Sequence, residues 1–297
     1  MNIDAASESR RVLPAELERE QREAGAFLRH RHGARIDGHC VTLTDPHSYE
    51  AGQYLRLRYC VESIRSPGRG VVVGICSPAA GDGKSFTAVN LAGALAQGQT
   101  NRVLIIDTDI RRRSETLRRL LPANGGSARG LSDLLLRGRP NAEEAARRID
   151  HSNLWLLPTG SRSIAPYEAF QSSRFAELLD SARAQFDYVV LDAPPVVAVP
   201  DCKLLAERVD GFVMVVSAGI TPRVMLAQAL EILGPKRLLG LVLNRCDQLP
   251  RRYYRYYGHY GYSMPTRRRD PEHMEAPGGE FVPPKRNEGG PESLRRP

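Results

Sequence analysis

No two cysteines stand as CxxC, and the five present (Cys40, Cys60, Cys76, Cys202 and Cys246) are scattered and odd in number. That excludes a disulfide framework and the usual zinc-ligand spacings, and it suits free thiols in a reducing compartment. Cys76, Cys202 and Cys246 lie in or beside apolar segments, where small core residues are expected. Long hydrophobic runs are also missing: none approaches the ~18–20 residues of a membrane span. The first twenty residues are polar and charged, without the apolar core of a signal peptide. A cytoplasmic protein is expected, reaching the inner face of the membrane only through a partner.

What is present is a 297-residue chain with 41% hydrophobic residues, enough for one substantial α/β domain plus extensions. Its net charge of +8 comes mostly from arginines at the two ends and in loops. That balance suits a nucleic acid, an anionic membrane surface, or simply solvated arginine-rich ends. Aromatic residues make up only 6%, yet six of the eleven tyrosines crowd one stretch: Tyr253, Tyr254, Tyr256, Tyr257, Tyr260 and Tyr262.

Residues 1–48 read as a polar extension in which 14–27 has the pattern of a helix. A further helix is expected from near Ser48, carrying Tyr54, Leu55, Leu57, Tyr59 and Val61. From Gly70 onward, short apolar runs alternate with helical stretches. The runs are Val71-Val72-Val73-Gly74-Ile75, Val103-Leu104-Ile105-Ile106, Trp155-Leu156-Leu157, Tyr188-Val189-Val190-Leu191, Phe212-Val213-Met214-Val215-Val216 and Leu239-Gly240-Leu241-Val242-Leu243. Near-continuous apolarity suits strands buried on both faces of a parallel sheet, with helices near 172–184 and 222–233 covering it. The fold class expected is therefore a doubly wound, mainly parallel α/β sheet flanked by helices. Residues 49–248 form that domain, 249–262 the tyrosine cluster, and 263–297 a Pro-, Gly- and Arg-rich tail too poor in apolar residues to fold.

Between the first strand and the next helix lies Ser77-Pro78-Ala79-Ala80-Gly81-Asp82-Gly83-Lys84-Ser85, followed by Phe86. It fits the phosphate-loop pattern GxxxxGK[ST], with Pro78 in place of the first glycine. Gly81 and Gly83 let the backbone turn its N–H groups toward phosphates, and the helix adds its positive end. Lys84 would neutralise the β- and γ-phosphates and the Ser85 hydroxyl would ligate Mg²⁺. An alternative is a glycine-rich strand-to-helix turn with an exposed lysine.

Two apolar strands end in aspartate, where ligands of open α/β sheets sit. Asp107 and Asp109 follow the second strand, with Arg111 next, and Asp192 follows a later one. Carboxylates there serve Mg²⁺, and one could accept a phenol proton; merely capping the next helix is the other reading.

These motifs together resemble the bacterial tyrosine kinases that control export and chain length of capsular and extracellular polysaccharides. The resemblance covers about 49–262. It rests on 77–85 as Walker A, on 103–111 with its DxDxR as the family's second acidic motif, and on 189–195 as Walker B. Asp201, the Leu243-Asn244 pair with Asp247, and the tyrosine cluster match in order. The resemblance implies an ATP- and Mg²⁺-dependent, P-loop (MinD/ParA-related) autokinase. In it, residues Ala80 to Phe86 and Arg111 hold the nucleotide, Lys84 and Ser85 meet phosphate and metal, Asp109 and Asp192 serve the metal, and Asp107 orients or deprotonates the attacking tyrosine. The six tail tyrosines are the implied acceptors, with transfer in trans between neighbouring copies of the chain. Implied partners are a membrane-embedded chain-length determinant acting as activator, a cognate tyrosine phosphatase and other copies of the chain; no nucleic acid is expected. The sequence resembles the family's stand-alone form, without the fused membrane half of many relatives. Departures are Gly52 and Leu55, where a ring-assembly helix carries Glu and Arg, leaving only Arg58, and Arg113 in place of a frequent proline. The alternatives are a ParA/MinD-like ATPase without kinase activity, although Ala79 stands where those carry a second lysine, and a catalytically weak adaptor whose tail docks a partner.

Overall fold

The computed structural model describes residues 36–98, 100–111, 116–122, 129–136, 141–150 and 152–246. The segment 14–27, Arg113, Asp247, the tyrosine cluster and the tail lie outside the described residues. Seven strands form one sheet: β1 (Val71–Cys76), β2 (Val103–Asp107), β3 (Arg147–Arg148), β4 (Leu154–Leu157), β5 (Tyr188–Asp192), β6 (Gly211–Ser217) and β7 (Leu238–Asn244). Their spatial order is β3-β4-β2-β5-β1-β6-β7. All pairings are parallel except the short antiparallel contact of β3 with β4, an edge strand the apolar pattern does not announce.

Successive side chains of a strand point to opposite faces, so each strand feeds two cores. Val72, Leu104, Ile106, Val189, Leu191 and Met214 face one of them, with the helices Ser173–Gln185 and Arg223–Leu233. Val71, Val73, Ile75, Ile105, Val190 and Val215 face the other. The continuous apolar runs of β1, β2, β5 and β6 are thus explained by burial on both sides. The exception is β7, where Leu241 and Leu243 are more than half exposed. As the sheet's edge strand it is not covered on both faces by described residues, so double burial does not hold there. Cys246, just beyond it, is exposed and not a core residue, whereas Cys40, Cys76 and Cys202 are buried.

Among the described residues the second face is covered by α1 (Val41–Thr44), α2 (Tyr49–Glu62) and α3 (Lys84–Ala96), with the short helix Thr116–Leu120 beside them. Ser48 starts α2 by accepting the Ala51 amide, as a capping serine should. Residues 36–48, read from sequence as the end of a polar extension, pack into this layer. Cys40 and Thr42 are buried, and Asn90 of α3 ties them down. The Asn90 amide donates to the carbonyls of His39 and Phe86, and its oxygen accepts from the Thr42 amide at 3.1 Å.

Replacing Asn90 with alanine leaves the buried Thr42 amide and the part-buried His39 carbonyl without this partner. A loss of about 1–3 kcal/mol is expected, measured by denaturant unfolding, with the m-value unchanged.

Candidate functional site

The chain runs from β1 outward to β2 and β4, then returns to insert β5 between β2 and β1. This reversal is the switch point at which an open α/β sheet leaves a crevice beyond the C-terminal strand ends. The register aligns three strand ends there: Ile75 pairs with Asp192, and Asp192 with Asp107. A second tie fixes the level, since both the amide and the hydroxyl of Thr108 donate to the Asp192 carbonyl.

The loop from β1 to α3 is braced from below. The Asp82 carboxylate is buried; it accepts the Ala79 amide at 3.0 Å and the Thr221 hydroxyl at 2.6 Å. The Asp82 carbonyl accepts from the Asn244 side-chain amide at 2.9 Å and the Ser217 hydroxyl at 3.3 Å. Asp82 therefore contributes backbone, not carboxylate, to whatever the loop holds. Phe86 turns its ring toward His39, centroids 5.7 Å apart. Gly81 and Gly83 have φ of +89° and +95°, the left-handed region that only glycine enters cheaply. Gly83 is the N-cap of α3 and brings no side chain to cap it, so the first amides of the helix keep their donors open. Ala80 and Gly81 are exposed, Lys84 and Ser85 half-buried.

Asp107, Asp109 and Asp192 are all buried. The Ser85 hydroxyl donates to one Asp192 oxygen at 2.6 Å, and the Asp109 amide donates to Asp107 at 3.1 Å. Burial, followed by the charge of Asp192, pushes the Asp107 carboxyl up to about 7, opposed by the Asp109 amide that donates to it. Burial raises Asp192 to about 6 against the opposing charge of Lys84. The other Asp192 oxygen is buried without a partner. An unpaired carboxylate oxygen beside a serine hydroxyl is a donor set for a hard cation, and Mg²⁺ fits it. Among the described residues no three His, Cys, Asp or Glu side chains form a metal cage. Mg²⁺ needs none, because it takes one or two carboxylates and fills the rest with water and phosphate.

Arg111, expected to hold the nucleotide, makes its described hydrogen bonds to Asp201. Its guanidinium forks onto buried Asp201, Nε to Oδ2 at 2.9 Å and Nη2 to Oδ1 at 2.8 Å, which raises its already high pKa. Arg58, the remaining arginine of the ring-assembly pattern, is bound within its own chain, to Glu62 and the Ala94 carbonyl. Sequence reasoning missed the braces Ser217 and Thr221; a polar turn directly after an apolar strand was the available signal.

Fold and crevice define a P-loop nucleotide-binding protein, and the AAA domain family matches residues 71–215. The chain is 33% identical over 233 residues to the tyrosine-protein kinase YwqD of Bacillus subtilis, covering 78% of this chain and 96% of that one. It belongs to the bacterial tyrosine-protein kinase family. It is also 30% identical over 212 residues to the succinoglycan biosynthesis transport protein ExoP of Rhizobium meliloti, of which it spans 26%. The solved BceF tyrosine kinase domain superposes with a TM-score of 0.58 at 26% identity, over 77% of this chain and 87% of that one.

Two outcomes follow from the geometry. A Cβ on residue 83 would lie 2.1 Å from Asn244 Nδ2, and φ is unfavourable as well. Gly83→Ala should weaken ATP binding by about tenfold or more, on the order of 1.4 kcal/mol, in calorimetric titration, with the circular dichroism spectrum retained. The second concerns pH. With folded values of about 7 for Asp107 and about 6 for Asp192 against 3.8 ordinarily, the folded state holds protons that the unfolded chain has released. Stability of the nucleotide-free protein therefore falls as pH rises through that window. Asp107→Asn removes one such group, so its thermal midpoint should exceed the wild type's above pH ~7, and the gap should close as pH falls from ~7 to ~4.

Proposed function

We propose that this tyrosine-protein kinase transfers the γ-phosphate of ATP to its own tyrosines 253, 254, 256, 257, 260 and 262, and so regulates polymerisation or export of an extracellular or capsular polysaccharide. The observation that carries the catalytic part is the side-by-side register of Asp107 and Asp192 at the strand ends next to Lys84 and Ser85. The polysaccharide context draws on the likeness to the succinoglycan biosynthesis transport protein ExoP.

In this reading residues 49–248 are the kinase domain. Amides at the start of α3 and Lys84 hold the phosphates, which the left-handed turns at Gly81 and Gly83 and the Asp82 brace shape the loop to receive. Ser85 and Asp192, joined by Asp109, would hold Mg²⁺, which when bound would supply charge neutralisation for the phosphates. Asp107 faces a different task. A phenol has an ordinary pKa near 10, and a carboxyl lifted to about 7 is a better matched proton acceptor for it than an ordinary aspartate. The Asp201–Arg111 fork positions the turn after Asp109. Phosphoryl transfer asks for alignment and charge compensation, both supplied by fixed groups of this crevice.

No helix among the described residues is long and apolar enough to cross a membrane. We place the kinase at the inner membrane face, recruited by a membrane-embedded chain-length determinant, reset by a tyrosine phosphatase, and meeting a second copy of itself as the tail donor.

Incubation of the purified chain with Mg-ATP tests the reading by mass spectrometry of the 251–262 peptide. Several phosphotyrosines are expected in the wild type and none in Lys84→Met. Asp107→Asn should slow their appearance by about 10²–10⁴-fold, the usual worth of a proton acceptor. A clean peptide accompanied by brisk ATP hydrolysis would overturn tail phosphorylation.

A further inference from the structure

The chain leaves β7 by a step that the pleat of a strand does not produce. Successive residues of a strand point to opposite faces. Once Asn244 turns its side chain to the phosphate loop, Arg245 should therefore turn away from it. Both reach the loop instead. The Asn244 side-chain amide donates to the Asp82 carbonyl at 2.9 Å, and Arg245 Nη2 donates to the Gly81 carbonyl at 2.8 Å. Two consecutive residues hold two consecutive carbonyls.

The backbone shows how. Arg245 has a φ of +58°, and among the described residues no other residue except glycine has a positive φ. The left-handed region disfavours side chains with a Cβ, and arginine lacks the short polar group with which asparagine or aspartate compensates there. Residues held in such a conformation are fixed by their surroundings, and they gather at functional sites. Pairing of Ser217 with Asn244, and the Ala218 amide on the Asn244 carbonyl, fix the chain up to the step. Arg245 itself is exposed and adds nothing to a core. What its conformation achieves is the contact with Gly81.

Gly81 needs a tie from outside the loop. Its φ is +89°, and beyond its chain neighbours no atom lies within 4 Å of where a Cβ would stand, so packing does not set its orientation. A loop cradles phosphates when its amides converge on the anion, which requires its carbonyls to face outward. The Ala79 carbonyl accepts from the Ser77 hydroxyl at 2.6 Å, the Asp82 carbonyl from Asn244 and Ser217, and the Gly81 carbonyl from Arg245. Of these donors only Arg245 is charged, and a charged donor makes a hydrogen bond roughly twice as strong as a neutral one.

We infer that Arg245 is a positioning residue for the phosphates of the nucleotide: it holds the Gly81 carbonyl outward and so keeps the neighbouring amides turned to the anion, without touching the nucleotide itself. This role rests on the reading of 77–85 as the loop that receives ATP. Loop amides serve the inner phosphates, which ATP and ADP share. Loss of the tie therefore weakens both nucleotides, whereas a direct contact of Arg245 with the terminal phosphate would favour ATP alone.

The test is calorimetric titration of the full chain with ATP and with ADP, both in the presence of Mg²⁺, for wild type, Arg245→Gly and Arg245→Lys. Arg245→Gly should weaken both nucleotides by about tenfold. Its thermal midpoint without nucleotide should not fall, because glycine enters the left-handed region freely. Arg245→Lys keeps a charged donor for a single carbonyl and should retain part of the affinity that Arg245→Gly loses. Affinity unchanged in Arg245→Gly, or a loss confined to ATP, would overturn the positioning role. So would a fall of affinity and midpoint together, which marks a residue needed only for the fold, or equal losses in the glycine and lysine variants. Wild-type protein that binds neither nucleotide would refute the reading of the loop and this role with it. Normal wild-type binding with an unaffected Arg245→Gly would refute this role alone.

Discussion

Two carboxylates held side by side in a dry place are the constraint around which this molecule is arranged. Parallel pairing of β2 with β5 brings Asp107 level with Asp192, and no side-chain movement can undo a backbone register. Burial and mutual repulsion both disfavour their charged forms, which is why Asp107 is lifted so far. The surroundings answer with positive charge and donors: Lys84 and the Ser85 hydroxyl act on Asp192, and the Asp109 amide on Asp107. One Asp192 oxygen is left without any. A crevice in this condition is poised for a cation and for the proton of an incoming hydroxyl, and it is less stable without them.

The sheet was readable from sequence because doubly buried strands carry apolar residues at every position, and six such runs became six of the seven strands. What escaped was decided by long-range geometry. The two-residue β3 has no apolar signature, since it pairs along a single edge and exposes arginine. Leu241 and Leu243 carry the signature of buried residues but sit on the edge strand, and no local pattern distinguishes an edge from a centre. Residues 36–48 looked like solvated chain because only Cys40 and Thr42 of that stretch are fully buried, fastened by an asparagine nearly fifty residues away.

The site divides along the same line. Its backbone groups and its three aspartates were legible, because glycines in a strand-to-helix turn and acids at strand ends have local causes. Side-chain direction was not. Asp82 fits the loop motif by position, yet it points down to Thr221; Arg111 fits by motif, yet it reaches Asp201 across ninety positions of chain. Motif matching names the residues that shape a site but does not separate those that touch the ligand from those that support the ones that do.

Pro78 shows how such support substitutes for a missing glycine. The first glycine of a phosphate loop grants conformational freedom at the turn. Here Pro78 is buried and fixes its own φ, so the chain enters the loop already directed. The freedom is confined to Gly81 and Gly83, the two positions with left-handed φ, and the residue between them is clamped by Ala79, Thr221, Ser217 and Asn244. Asn244 closes the last strand of the sheet, so the loop's shape depends on β7 being docked against β6. The exposed edge strand thereby gains a direct mechanical link to the nucleotide crevice: a change of β7 that shifts Asn244 would alter the turn at Gly83, with which it is already in close contact.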